Sequence, residues 1–358
     1  MNGLERVGAT MAGDSVDRRA VALVLSLYGA RLTGCPTVNY YREPEAYVQG
    51  QEAVVDLLDP DIVCAPLAFE LIGESFGSEL AFAAHEAPVL HRSALQTAEA
   101  FDGLGLPDPD SDARLLYLRD TVELLATRFG DRAIAVALPS PVDVASTIMG
   151  LDVWLPTVLF EPEVARRVME RIVPFYVDVV NGFFAAGATL VLAACALGLP
   201  SIVTRDVVTE FTRPWLTEAF AGLAGPVILH SVGAPCVAHL DLLTGLPAVV
   251  GFAIEERDDP ERAREIVGPS PVLIGGLDCA HVAVMTAADV ETACRRILVG
   301  RRRTHASCSA TPAPTCRGRP PRRTCVRSSR PPGRPRHRHE PSWVSSQKPL
   351  DLLLRARE

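Results

Sequence analysis

The sequence predicts an α/β fold, a (β/α)8 barrel of the TIM type whose last β/α unit is missing or replaced. Residues 226–281 hold three apolar runs, PVILHSVG, AVVGFAIEE and PVLIGGLDCAH, separated by helix-length connections. Continuous Val/Ile/Leu runs at that period are parallel strands buried on both faces. Each run ends in polar residues, and the C-terminal edge of such strands is where ligands and chemistry sit. Earlier runs from Ile62, Ala133 and Thr189 repeat the pattern. Together these make six strand–helix units where a closed barrel needs eight strands.

In chain order, residues 1–14 read as a disordered N-terminus and residues 15–299 as the barrel domain. From Ser15, SVDRRAVALVLSLYGARL has the length of a helix behind a serine cap, broken by the turn residues of TGCPTVNYYREP. A second helix is expected over Pro44–Leu58, with proline at the first position, where a missing N–H costs nothing. The run GESFGSELAFAAHEAPVL predicts a hairpin or ribbon over the barrel mouth. Long helices are expected at Ser111–Phe129 and Glu161–Ala186. The ribbon region and something after Arg296 are expected to complete the barrel.

Length and composition limit the function classes. A chain of 358 residues, 48% hydrophobic, can bury one large core. No apolar run reaches the roughly 18–20 residues of a membrane span, and the polar N-terminus lacks the apolar centre of a signal peptide. The expectation is a cytoplasmic protein without a membrane partner. Nine cysteines without a CxxC pair fit free thiols in a reducing compartment. The net charge of −8 hides an asymmetry, because residues 301–358 carry 14 Arg and one Lys against three acids. The lysine-free body therefore carries about twenty excess negative charges and would not attract nucleic acid.

Residues 300–358 form a basic Arg/Pro-rich tail without periodicity, and the composition predicts disorder. Such a tail suits RNA or an anionic surface. A different reading is a frameshift: with GC-rich codons, moving the frame across His305–Ser328 gives RVLLGDPGADLPWATSPANLRALV, a strand, loop and capped helix. That product would be the missing eighth unit.

The stretches TGCPTVNYYREPEAYVQGQ, DPDIV, PVILHSVG, GFAIEE and PVLIGGLDCAHV occur in an order that resembles the uroporphyrinogen decarboxylase superfamily. Within it the chain is similar to the cobalamin-dependent branch that includes methylcobalamin:coenzyme M methyltransferases. The resemblance covers about Thr33 to Leu298 and implies a (β/α)8 barrel with its site at the strand C-termini. Decarboxylases of this superfamily carry an Arg-Gln-Ala-Gly-Arg motif that is missing here, and their first-strand aspartate aligns with Pro66. Without those arginines a tetra-anionic porphyrinogen lacks its counter-charges.

The resembling methyltransferases hold zinc with a His-x-Cys and a later Cys, and the metal lowers a thiol's pKa so that the thiolate can attack the methyl group. His230 matches the histidine, but Val232 stands at the cysteine position. Cys236 and Cys279 are the cysteines that could join His230 as substitute ligands.

His230, at a strand end, is the best single candidate for a ligand or a general acid/base, against a structural hydrogen-bonded histidine. Asp278 is a candidate catalytic residue along with His230 and Glu255 and reads as polar lining of the mouth, since burying an unpaired carboxylate is costly. Of Glu255 and Glu256, strand alternation lets at most one enter the mouth. Glu255 is taken, because the resembled family has an acid there. Ser231, Cys195 and Ser201 are candidate substrate contacts, with plain packing as the alternative for Cys195 and Ser201. Ser140 and Asp143 read as caps of the following helix. His85 and His91 read as surface residues.

The expectation is therefore a methyltransferase working with a corrinoid protein, or cobalamin, and a small-molecule methyl acceptor. A decarboxylase-like lyase on another carboxylate, a non-catalytic corrinoid- or tetrapyrrole-binding module, and an inactive product of a disrupted frame remain as alternatives.

Overall fold

The computed structural model describes residues 1–67, 69–84, 86–275, 277, 285–300 and 306–310, the last five and 296–300 by backbone alone. Eight parallel strands close a barrel: β1 (Val21–Leu23), β2 (Ile62–Cys64), β5 (Ala133–Pro139), β6 (Leu190–Ala194), β7 (Val227–His230), β8 (Val249–Ile254), β9 (Val272–Gly275) and β10 (Ala306–Ala310). Around the barrel the order is β1-β10-β9-β8-β7-β6-β5-β2, with β1 pairing both β10 and β2. The remaining pair, β3 (Glu79–Ala81) and β4 (Val89–Arg92), forms a separate antiparallel ribbon.

The barrel buries two apolar layers. Inside it, Ala22, Val24, Ile62, Cys64, Ala133, Ala135, Leu190, Ile228, Ala253 and Ile274 face one another. Outside it, the opposite faces of the same strands pack on helices, notably Pro44–Leu58, Ala113–Arg128 and Pro162–Ala185. Burial on both faces is why these strands read as unbroken apolar runs.

Four expectations change. Residues 1–14 are not disordered, because Gly3–Ala12 is a helix. A capping box starts it, with the Asn2 side chain accepting from the Glu5 N–H at 2.8 Å and the Glu5 carboxylate accepting from the Asn2 N–H at 3.0 Å. The helix plugs the N-terminal end of the barrel: Val7 and Met11 join the lumen residues, and Arg6 pairs with Asp61 and Asp17. Gly3 permits the approach, since a Cβ there would lie 2.9 Å from the Asp61 carbonyl oxygen.

The run from Ser15 is not one helix. It divides into β1 and the helix Ser26–Thr33, since Val21 to Leu25 find two strand neighbours and a core on both sides. Helix periodicity in a fully apolar run does not separate these outcomes. Consequently β1, not the ribbon, supplies the barrel strand that the ribbon was expected to provide.

The eighth position is filled by Ala306–Ala310, from the compositionally foreign tail. The disorder predicted for residues 300–358 is thus corrected at these five residues, which pair with both β1 and β9 and supply the strand expected after Arg296. The rest of the tail, residues 301–305 and 311–358, lies outside the described residues. Among the described residues, no helix is long and apolar enough to cross a membrane.

Candidate active site

Strand parity selects the side chains that reach the mouth. Ile228 and Ala253 face the lumen, so His230 and Glu255, two residues further on, continue on the same face. His230 lines the top of a cavity of about 30 Å³ whose other walls, including Val24, Cys64, Ala135, Leu192 and Ala253, are apolar. Ser231 is buried between them, and its hydroxyl donates to Glu255 Oε1 at 3.3 Å. The structure thus brings His230, Ser231 and Glu255 to the same strand ends, with Glu255 half-buried and Glu256 exposed.

The hydrogen bonding of His230 determines its chemistry. Its Nδ1 accepts the backbone N–H of Val232 at 2.9 Å. In a neutral imidazole the proton then sits on Nε2, which makes Nε2 a donor. Burial pushes the pKa down to about 4, so the ring is neutral at pH 7. Val232 makes this bond at a φ of 52°, a left-handed conformation rare for a β-branched residue. Gly233 follows at φ 81° and completes the turn.

A zinc-binding reading does not fit these donors. A ligating histidine needs a free lone pair on one nitrogen while the other donates to an acceptor; here one nitrogen accepts and the other carries hydrogen. Cys236, the second expected ligand, is buried with its sulfur 3.5 Å from Asp258 Oδ2. Burial, then that carboxylate, pushes its thiol pKa up, away from thiolate. Among the described residues no three His, Cys, Asp or Glu side chains converge as a metal site requires. Cys279 and Asp278 lie outside the described residues, as does His85, while His91 is exposed on the ribbon.

The remaining candidates divide. Cys195 is buried in the outer layer, where burial and nearby Asp143 push its thiol pKa up. Its backbone N–H donates to the His230 carbonyl at 3.1 Å. Ser201 lies exposed on the turn that follows. Pro66, at the decarboxylase aspartate position, follows β2 in Cys64-Ala65-Pro66-Leu67, and the Leu67 N–H donates to Ser26 Oγ at 3.0 Å.

Two buried aspartates form the frame. Asp143 begins the helix Val144–Met149, but its carboxylate does not cap it. It instead crosses to the loop after β6, accepting from the Ala196 N–H at 3.0 Å, the Leu197 N–H at 3.1 Å and the Ser140 hydroxyl at 2.6 Å. The capping expectation for the pair is therefore corrected. Asp258, 7% exposed, makes the equivalent bridge between the loops after β7 and β8. Sequence reasoning missed it, because in EERDDP it stands beside Asp259, an ordinary cap of the helix Pro260–Val267.

A closed parallel barrel with polar residues gathered at the C-terminal ends of β7 and β8 is the arrangement of a TIM-type (β/α)8 barrel. The uroporphyrinogen decarboxylase (URO-D) family model matches residues 2–308, and the chain belongs to that family. No curated protein sequence matches the chain. Among solved structures it is similar to a methyltransferase from Methanosarcina mazei, at 16% identity and a TM-score of 0.78, over 88% of this chain and 94% of that one. It is also similar to a putative vitamin-B12 independent methionine synthase from Listeria monocytogenes, at 13% identity over 83% of this chain and 89% of that one. The TM-score of that second match is 0.44.

Proposed function

We propose that this chain is a methyltransferase that moves a methyl group between a corrinoid, carried by a partner protein, and a small acceptor. Glu255 is the base in this reading. Glu255 would accept the acceptor's X–H proton while the lone pair on X takes up the methyl group, which a bound corrinoid would supply, keeping the electron pair of the bond it gives up. His230, neutral and protonated on Nε2, donates a hydrogen bond to the acceptor, and Ser231 orients the carboxylate. Among the described residues, the side chains that line the lumen below His230 are apolar.

The observation that carries this reading is the Ser231–Glu255 contact beside a neutral His230 in a URO-D family barrel. A base is needed because His230 and Cys236, two of the three residues that could hold a thiol-activating zinc, are engaged otherwise. The acidic body and the missing arginines disfavour a porphyrinogen and leave a weakly charged corrinoid acceptable.

The test is anaerobic loss of methylcobalamin absorbance with coenzyme M and other thiols as acceptors, comparing wild type with Glu255→Gln. Turnover that falls roughly 100-fold in the variant is expected for loss of a general base. No methyl loss above buffer, or equal rates in both proteins, would overturn the reading.

A further inference from the structure

We infer that Asp258 is the positioning residue of the site, the group that sets the spacing between the His230–Ser231 strand end and Glu255. Its carboxylate accepts from both sides of the site. From the loop after β7 come the Cys236 N–H, 3.1 Å from each oxygen, and the Val237 N–H, 3.1 Å from Oδ1. From the loop after β8 comes the Glu255 N–H, 3.1 Å from Oδ2. The Cys236 thiol adds a fourth contact at 3.5 Å.

The geometry makes this more than a loop tether. The segment from His230 to Cys236 contains the Val232 N–H that holds the imidazole, and the turn closes on itself through the Ala234 N–H to the Ser231 carbonyl at 3.1 Å. One end of that segment is fixed in β7, where the Ser231 N–H reaches the Ala253 carbonyl at 3.3 Å. Its other end is fixed by Asp258, and the same oxygen pair fixes the backbone of Glu255. A carboxylate can accept all three N–H groups, because it is acceptor-only with about four lone-pair sites. An amide offers one oxygen and turns an N–H₂ toward one of the two loops, so one side must release.

The test compares Asp258→Asn with Asp259→Asn. Asp259 caps the adjacent helix through the Glu261 and Arg262 N–H groups at 2.9 and 3.3 Å. Both variants lower Tm. With ¹⁵N-labelled histidine, Asp258→Asn is expected to move the His230 Nδ1 and Nε2 resonances toward mixed tautomers, and Asp259→Asn to leave them in place. Asp258→Glu keeps both acceptor oxygens one methylene displaced; it is the second variant should the amide not fold, and the same resonances are expected to move.

The rate arm rests on the methyl-transfer reading above. There Asp258→Asn is expected to lower kcat roughly 100-fold, the scale of a small misplacement of reacting groups, with KM little changed. The resonance arm does not depend on turnover, so an inactive wild type would overturn the function and leave this inference decided by the spectra. Folded Asp258 variants with His230 resonances at wild-type positions would overturn it, as would an equal displacement in Asp259→Asn.

Discussion

The Val232 N–H donates to Nδ1 of His230 at 2.9 Å, from a residue whose φ is 52°. In this family's zinc-binding members the resemblance leads one to expect a cysteine ligand at that position. Here the position instead supplies a backbone donor that occupies one imidazole nitrogen. A left-handed valine costs on the order of 1–2 kcal/mol. Val232→Gly is therefore expected to raise stability by about 1 kcal/mol in urea unfolding. No gain would mean that the turn is unstrained.

The neutral His230 carries a pH signature. Its pKa is lowered from an ordinary 6.5 to about 4 by burial. Between those values the unfolded chain binds more protons than the folded one, so stability rises with pH across the window and is lost as pH falls through about 4. The effect is about 3 kcal/mol. His230→Gln removes it, and denaturation midpoints at pH 4 and 6.5 measure the change in slope.

Asp143 acts with the opposite sign. Burial raises its pKa from 3.8 to about 6, against the lowering effect of its Ser140, Leu197 and Ala196 donors, with Cys195 and Tyr176 as titratable neighbours. The folded state therefore binds more protons than the unfolded one, and stability is lost as pH rises through about 6. The size is again about 3 kcal/mol. These two terms nearly cancel in the wild type between pH 4 and 6. Asp143→Asn is therefore expected to leave a net rise of stability with pH between 4 and 6, and His230→Gln a net fall; equal slopes in the two variants would contradict this assignment.

At the other end of the barrel, Asp61, 2% exposed, receives Arg6 at 2.5 Å, Arg18 at 2.6 and 2.9 Å, and the Val21 N–H at 2.7 Å. Arg6 is itself buried. Removing one member of such a cluster leaves a buried charge partly uncompensated, so Asp61→Ala should cost about 3–5 kcal/mol. Urea unfolding of the variant checks this; a loss below 1 kcal/mol would show that Asp17 alone satisfies Arg6.

Tyr176 is 1% exposed, and its hydroxyl has no hydrogen-bond partner among the described residues. Burying an unsatisfied hydroxyl is unfavourable. Tyr176→Phe is expected to be neutral or to stabilise by up to about 1 kcal/mol, read from the unfolding midpoint. A clear destabilisation would indicate that the hydroxyl binds a buried water.

The barrel was legible because doubly buried strands such as Ala133–Pro139 and Val227–His230 are unbroken apolar runs, and because Pro44–Leu58 starts with proline in place. Strand β1 was not legible. Ala20 to Leu25 is as apolar as a buried helix, and only its pairing with β2 and β10 decides the outcome. The N-terminal helix carries a local signal in its Asn2–Glu5 capping box, but the lumen packing of Val7 and Met11 and the pairing of Arg6 with Asp17 and Asp61 are long-range and not legible in the sequence.

At the site, His230 was legible as a strand-end residue, whereas parity admitted only one of Glu255 and Glu256 and the family resemblance decided for Glu255. Parity does not report hydrogen-bond direction, so the engagement of His230 Nδ1 by Val232 lay beyond it. Nor does local spacing show that Asp143 and Asp258 spend their carboxylates on neighbouring loops: a strand-end aspartate before a helix looks the same whether it caps or bridges.

The central claim is transfer based on Glu255 without a zinc thiolate, and the most direct measurement is methylcobalamin turnover before and after exhaustive chelation, with zinc content read on the same samples. The account predicts turnover with coenzyme M or another thiol that survives chelation unchanged and does not follow zinc content. Turnover lost on chelation and restored by stoichiometric zinc would contradict it, as would no turnover in either sample.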